Sequence, residues 1–242
     1  MRGALFFFAY STFYLAQSKM PIATATVLFL VSPFFITILS ILFFKSQVGY
    51  RRWLTMLVGF GGVVLICQPA AGEFSFYYLL PVLVALAYAV IVNITKMTSD
   101  KDTLYQQVLY MYFITALLSG LMGLLFGDGR FNTVEYSEFA FVTRAWVFTD
   151  INTAIWLVGI AVVGASALLF LLGAYRVADP AVISPYEYTL LPWMILWGYI
   201  FWREVPSLYD LIGMLLIVGA GLYIYYREQI RNQNIENKST LR

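Results

Sequence analysis

The stretch AVISPYEYTLLPWMILWGYIFW, Ala181–Trp202, decides how the rest of the chain is read. It is apolar and long enough to cross a bilayer, which takes ~20 helical residues. Yet it carries one acid, Glu187, about a quarter of the way along. A carboxylate within a lipid-spanning helix costs roughly 2.5 kcal/mol or more, so it faces a partner or a water-filled cavity rather than lipid. Pro185 and Pro192 stand on either side of it. Prolines free backbone carbonyls that a neighbour or a bound solute can use. Glu187 is therefore the leading candidate for function.

Working outward, hydrophobic residues make up 61% of the 242 and charged residues only 12%, with a mean hydropathy of +0.78. That charge content is about half that of a soluble domain and places the chain among integral membrane proteins. The small net charge of +2 argues against nucleic acid as a partner. The chain has no histidine, so the commonest general base, zinc ligand and haem ligand are all missing, and neither metal nor triad chemistry is expected. The single cysteine, Cys67, cannot form an internal disulfide and reads as an inert thiol.

Apolar windows predict eight membrane helices, near Gly3 to Ser18, Ile22 to Phe44, Trp53 to Ala70, Phe76 to Thr95, Tyr105 to Phe126, Thr153 to Tyr175, Ala181 to Trp202, and Leu208 to Tyr226. The runs are too long and unbroken for barrel strands. The first segment also has the charge and small-residue pattern of a secretory signal, but the repeat described next uses it as a helix. With the N-terminus inside, eleven basic residues fall on inner connections and four, Lys19, Arg130, Arg144 and Arg203, on outer ones. This bias predicts that both termini are cytoplasmic. Val134, Phe139, Val142, Trp146 and Phe148 in the long outer connection fit either a short interfacial helix or a loop with scattered aromatics. The polar tail after Arg227 is expected to be disordered.

The chain matches itself without gaps at a displacement of 159 residues. Pro21 falls on Pro180, Pro33 on Pro192, Ile36 on Ile195, Tyr50 on Tyr209, Leu57 on Leu216 and Gly62 on Gly221. The segments ending at Ser18, Phe44 and Ala70 thus look like copies of the last three, and a five-helix unit is complete only in the second half. An odd number of helices per unit inverts the second copy in the membrane, an arrangement used by many secondary transporters.

These residues resemble the EamA family of the drug/metabolite transporter superfamily. The resemblance rests on Ala181 through Thr189, Phe201-Trp202-Arg203-Glu204-Val205-Pro206, Gly213 through Ile224, Pro21-Ile22-Ala23-Thr24-Ala25 through Ser32-Pro33, and Val48-Gly49-Tyr50-Arg51-Arg52-Trp53. It implies two five-helix repeats, of which the first two helices are not represented here. It divides the chain into residues 1–70, the remainder of the first EamA-type repeat; 76–227, the second repeat with an outer loop at 127–152; and 228–242, a polar cytoplasmic tail. The acid that family members carry after the fourth helix is replaced by Lys45-Ser46-Gln47, whereas Glu204 keeps it in the second copy.

Glu187 fits three roles: a proton-coupling carboxylate, a counter-ion for a cationic solute group, or a structural acid bonded to a neighbouring helix. Tyr186 and Tyr188 flank it on different faces, and Tyr188 can stack on a planar solute. Asn93 suits solute binding or helix-to-helix hydrogen bonding, and Trp193, which follows Pro192, suits a cavity wall. Ser119, Gly123 and Gly127 form a small-residue stripe that suits close packing. Arg176 with Asp179, and Arg203 with Glu204, read as interfacial pairs. Tyr209-Asp210 and Gly127-Asp128 fall at helix ends and lack the context of an intramembrane aspartyl protease, so no enzyme is expected. No helix shows the polar stripe of a pore. The fold class expected is therefore an all-α integral membrane bundle of about eight helices with inverted repeats. Its expected function is secondary transport of a small organic metabolite, for which the resemblance offers riboflavin, S-adenosylmethionine and amino-acid-like solutes. The alternative is a truncated, non-transporting membrane protein derived from such a carrier. The partners expected are the metabolite and the lipid bilayer, with no nucleic acid, no cofactor, and room for a homodimer.

Overall fold

The computed structural model describes residues 1–44, 50–67, 75–132, 140–147, 150–177 and 183–240. Among these the chain is helical, with no strand. In order the helices are α1 (Arg2–Gln17), α2 (Ile22–Phe29), α3 (Ser32–Phe44), α4 (Tyr50–Cys67), a 3₁₀ turn (Phe76–Tyr78) leading into α5 (Leu79–Met97), α6 (Leu104–Phe126) and the single turn α7 (Ala140–Thr143). They continue with α8 (Ile151–Val177), a 3₁₀ segment (Ser184–Thr189) leading into α9 (Leu190–Trp202), and α10 (Leu208–Thr240). Four stretches, Ile22–Phe43, Phe76–Met97, Leu104–Phe126 and Ile151–Val177, are long and apolar enough to cross a bilayer, and Trp53–Ile66 and Leu208–Tyr223 are shorter apolar helices.

Two expected spans are interrupted. The run Ile22 to Phe44 breaks at Leu30–Val31, where α2 ends and α3 begins at Ser32. Pro33 explains the break, since it donates no backbone hydrogen bond and is tolerated only in a first helical turn. The run Ala181 to Trp202 starts outside the described residues, passes through Ser184–Thr189 as a 3₁₀ segment with Pro185 in its first turn, and becomes α-helical at Leu190. The helix starts that follow the two interruptions, Ser32 and Leu190, lie within a residue of the 159-residue displacement of the self-match.

Helix α5 sits between α1 and α3 and also meets α2 and α8, so it is the central post of the bundle. Its small buried positions Ala85, Ala87 and Ala89 let these neighbours approach. Helices α4 and α10 lie along each other. They cross where a Cβ on Gly62 would stand 2.8 Å from the Gly213 carbonyl and one on Gly213 would stand 2.9 Å from the Gly62 carbonyl. The main core joins Leu28, Leu30, Val31 and Phe34 to Met56, Ile66, Tyr188, Met214 and Ile217. Helix α8 is largely exposed, with Leu168, Leu172 and Tyr175 buried near its C-terminal end.

Two further expectations change, and a third falls mostly outside the described residues. The tail beyond Arg227 is not a disordered appendage, because α10 carries on to Thr240. Once a helix is nucleated, each added residue costs little. In the outer connection Ala140–Thr143 form the single turn α7, while Val134, Phe139 and Phe148 lie outside the described residues. Within the small-residue stripe of α6, Gly123 admits the ring of Trp146 rather than another helix, since a Cβ there would stand 2.6 Å from that ring.

Candidate functional site

The 3₁₀ segment carries Glu187 into the interior, where it is 7% exposed. Its Oε1 accepts a hydrogen bond from the Tyr88 hydroxyl at 2.6 Å and another from the Tyr175 hydroxyl at 2.5 Å. Its Oε2 lies 3.5 Å from the Ser32 hydroxyl, at the limit of a hydrogen bond. These partners come from α5, α8 and the first residue of α3, so one carboxyl group ties together four elements. Ser32 and Tyr88 each stand near the middle of an apolar stretch of 22 residues. Ser32 also begins the helix that follows the first interruption. The two discontinuous segments therefore meet at the carboxylate.

No salt bridge reaches Glu187 among the described residues. Phenols serve in place of a counter-cation, and hydrogen bonds to a carboxylate are shorter and stronger than neutral ones. The same geometry serves an acid protonated on Oε2, because Oε1 still accepts both phenol protons. The cluster can thus hold the group in either protonation state without moving a partner, and Oε2 is the oxygen left open to a proton, a cation or a solute hydrogen-bond donor.

Tyr188 is 6% exposed and packs in the main core against α10, where a Cβ on Gly221 would run into its hydroxyl. That hydroxyl has no hydrogen-bond partner among the described residues. Tyr186 lies in the same 3₁₀ segment, with its side chain outside the description. Asn93 is fully buried: its Nδ2 donates to Ala89 O at 2.8 Å and Ile36 O at 3.5 Å, while its Oδ1 accepts from Ser40 Oγ at 3.0 Å. It is a tether between α5 and α3. Trp193 is 56% exposed on α9 and is not brought into the Glu187 cluster.

Sequence reasoning missed Tyr88, Tyr175 and Ser32. The available signal was that a buried acid needs donors and that Tyr88 and Ser32 lie mid-span. Tyr175 gave none, because beside Arg176 at a helix end it reads as an interfacial anchor.

The basic residues at the helix ends have these partners among the described residues. Arg176 donates to the carbonyls of Asp102 and Ser99, both at 2.6 Å, while Arg2 bonds Thr98 Oγ1 at 3.0 Å and pairs with Asp102 at 3.3 Å. The turn between α5 and α6 is thereby tied to the ends of α1 and α8, and Asp179 lies outside the described residues. Arg203 rests over the Tyr199 ring, and Glu204 reaches α2 instead.

Long apolar helices packed around a buried carboxyl cluster define a multi-pass α-helical membrane protein. Residues 2–68 match the EamA-like transporter family. Over 229 residues it is 27% identical to the S-adenosylmethionine uptake transporter of Rickettsia bellii, covering 95% of this chain and 72% of that protein. Over 216 residues it is 30% identical to the riboflavin transporter of Rhizobium johnstonii, covering 89% of this chain and 66% of that one. It is also 26% identical over 221 residues to the pseudopaline exporter CntI of Pseudomonas aeruginosa, covering 90% and 70%.

Proposed function

We propose that this chain is a secondary transporter of a small organic metabolite, working by alternating access around Glu187. The observation that carries the reading is the meeting of two interrupted helices at one buried carboxyl group held by hydroxyls from α3, α5 and α8. Interrupted helices with polar groups at mid-depth are where carriers of this general kind build their sites. Such a group also gives a four-element junction something to exchange, a proton or a solute, as it opens and closes. The relatives' names support metabolite transport and include both uptake and export, so the direction stays open. They also support a non-enzymatic role. Glu187 is the centre of the proposed site, with Tyr188 and Tyr186 beside it in sequence; Asn93 enters as the tether of the adjoining helices and Trp193 as an outer residue of α9.

The same proposal takes the chain as eight crossings of the plasma (inner) membrane with both termini cytoplasmic, arranged as inverted repeats. The coincidence of the two helix interruptions with the 159-residue displacement supports the repeat, and the basic-residue bias supports the orientation.

The test is the thermal stability of the purified chain in detergent with flavins, adenosyl compounds and amino acids, followed by uptake into proteoliposomes. A ligand at ~100 times its Kd adds roughly 2.7 kcal/mol to the folded state. A stabilising compound that is also transported supports the reading. Cooperative melting with no shift and no uptake across the panel overturns it.

A further inference from the structure

We infer that Glu204 is a latch that holds one end of the carrier closed by capping α2 from the opposite half of the chain. Helix α2 starts at Ile22 behind Pro21, which provides no side-chain cap. The first N–H groups of a helix have no intrahelical acceptor and attract negative charge. Here the Ile22 N–H donates to Glu204 Oε2 at 3.1 Å, across 182 residues of sequence.

Three features aim that carboxylate. Arg203 ends α9 in the left-handed conformation, φ 58°, a state non-glycine residues rarely adopt. The Glu204 N–H then folds back onto the Gly198 carbonyl at 3.2 Å. Gly198 itself is buried, and a Cβ there would press to 3.2 Å from Ile22 Cγ2, so its lack of a side chain lets α9 lie close to the start of α2. A glycine for clearance, a left-handed turn and a carboxylate act together on one helix N-terminus.

The repeat makes the contact informative about movement. If the two halves were equivalent, a residue 159 positions before Glu204 would cap the residue 159 positions after Ile22. Those positions are Lys45 and Ala181, and the counterpart of Gly198 is Leu39. A lysine has no acceptor and cannot cap a helix N-terminus. The sequence therefore places a capping carboxylate at Glu204 and none at its counterpart position, and releasing α2 at the Glu204 end requires breaking this bond. The functional meaning rests on the alternating-access reading above, but the latch is measured without any substrate.

The experiment uses the full chain in lipid vesicles, with Cys67→Ser and a reporter Ala23→Cys in the buried first turn of α2, labelled by an impermeant maleimide. A second reporter, Ala89→Cys, is buried in α5 beside Tyr175. Glu204→Ala is expected to speed labelling at Ala23→Cys by about 2- to 30-fold, the range for a lost helix cap, and to leave Ala89→Cys unchanged. Glu204→Gln, which keeps an acceptor but not the charge, gives a smaller increase. Equal acceleration at both reporters, or none at Ala23→Cys, overturns the latch. Should neither variant fold, hydrogen exchange on the parent chain decides: a protected Ile22 amide supports the latch and a freely exchanging one overturns it. Absent transport with a released α2 would sink the carrier reading and leave the latch standing.

Discussion

The Tyr175 hydroxyl lies 2.5 Å from Glu187 Oε1, joining the end of α8 to the 3₁₀ segment that follows it by 12 residues. Tyr88 converges on the same oxygen from α5, and Ser32 of α3 approaches the other oxygen, so one carboxyl group joins four elements.

Removing one phenol donor should weaken that junction. Tyr175→Phe and Tyr88→Phe are each expected to lower unfolding stability in detergent by about 1–2 kcal/mol, the scale of a single interhelical or side-chain hydrogen bond. Each should cost markedly less in a Glu187→Leu background, because the phenols then have no carboxylate to serve. A double-mutant cycle reads this coupling, and strictly additive effects would separate the tyrosines from the acid.

Glu187→Gln keeps the size of the side chain and an oxygen able to accept both phenols, so the chain is expected to stay folded. What it loses is the ability to exchange a proton or balance a cationic group. Binding or uptake should fall or lose its pH dependence while melting stays cooperative. Unchanged binding and pH response would remove Glu187 from the mechanism.

Much of this fold is legible because lipid-spanning helices must satisfy their backbone internally and present apolar side chains over about 20 residues. The site is legible only in its acid. A carboxylate in an apolar run is costly enough to stand out, whereas tyrosine and serine are ordinary in such helices. The pairings of Glu187 with Tyr88 and Ser32 span 99 and 155 residues, which no local pattern encodes. The interruption after Leu30 was readable from Pro33, yet hydropathy alone carries straight through it. The tail misleads in the opposite sense: its polarity reads as disorder, although Glu, Gln, Arg and Lys are good helix formers once α10 leads into them.

Asn93 separates structure from binding. Its amide is spent on Ser40, Ile36 and Ala89, so Asn93→Ala should cost about 1–2 kcal/mol by loosening α3 from α5. The affinity of any stabilising ligand, measured at a temperature where the variant is fully folded, should stay within about twofold of the parent, the mark of a residue outside the ligand's contacts. A larger loss of affinity would return Asn93 to the site.

Two glycines of α10 should respond with opposite sign. At Gly213 a methyl group would meet the Gly62 carbonyl at 2.9 Å and run into the Ile66 side chain, so Gly213→Ala is expected to push α4 and α10 apart at about 1–3 kcal/mol. At Gly219 nothing stands within 4 Å, and Gly219→Ala should stabilise by about 0.4–1 kcal/mol by restricting the unfolded chain. Equal responses in melting would mean that the two helices do not cross at Gly62.

Asp150 supplies a pH dependence outside the apolar spans. It stands before α8 and accepts from the Thr153 hydroxyl at 2.6 Å and the Thr153 N–H at 2.8 Å; these two bonds hold its carboxyl below the usual value of 3.8. A folded-state pKa below the unfolded one means that the carboxylate form contributes stability above about pH 4, and the contribution is lost as pH falls through the folded value. The group is fully exposed, so the effect is confined to the first turn of α8. Asp150→Ala should therefore fray residues 151–154 at neutral pH, seen as faster proteolysis or amide exchange there relative to the parent. As the pH is taken below the folded value the two proteins should converge, because the parent's carboxyl is then protonated and has lost the charge that makes it a good cap. A difference that persists undiminished at low pH would show that the side chain caps without its charge, and would remove the pH dependence argued here.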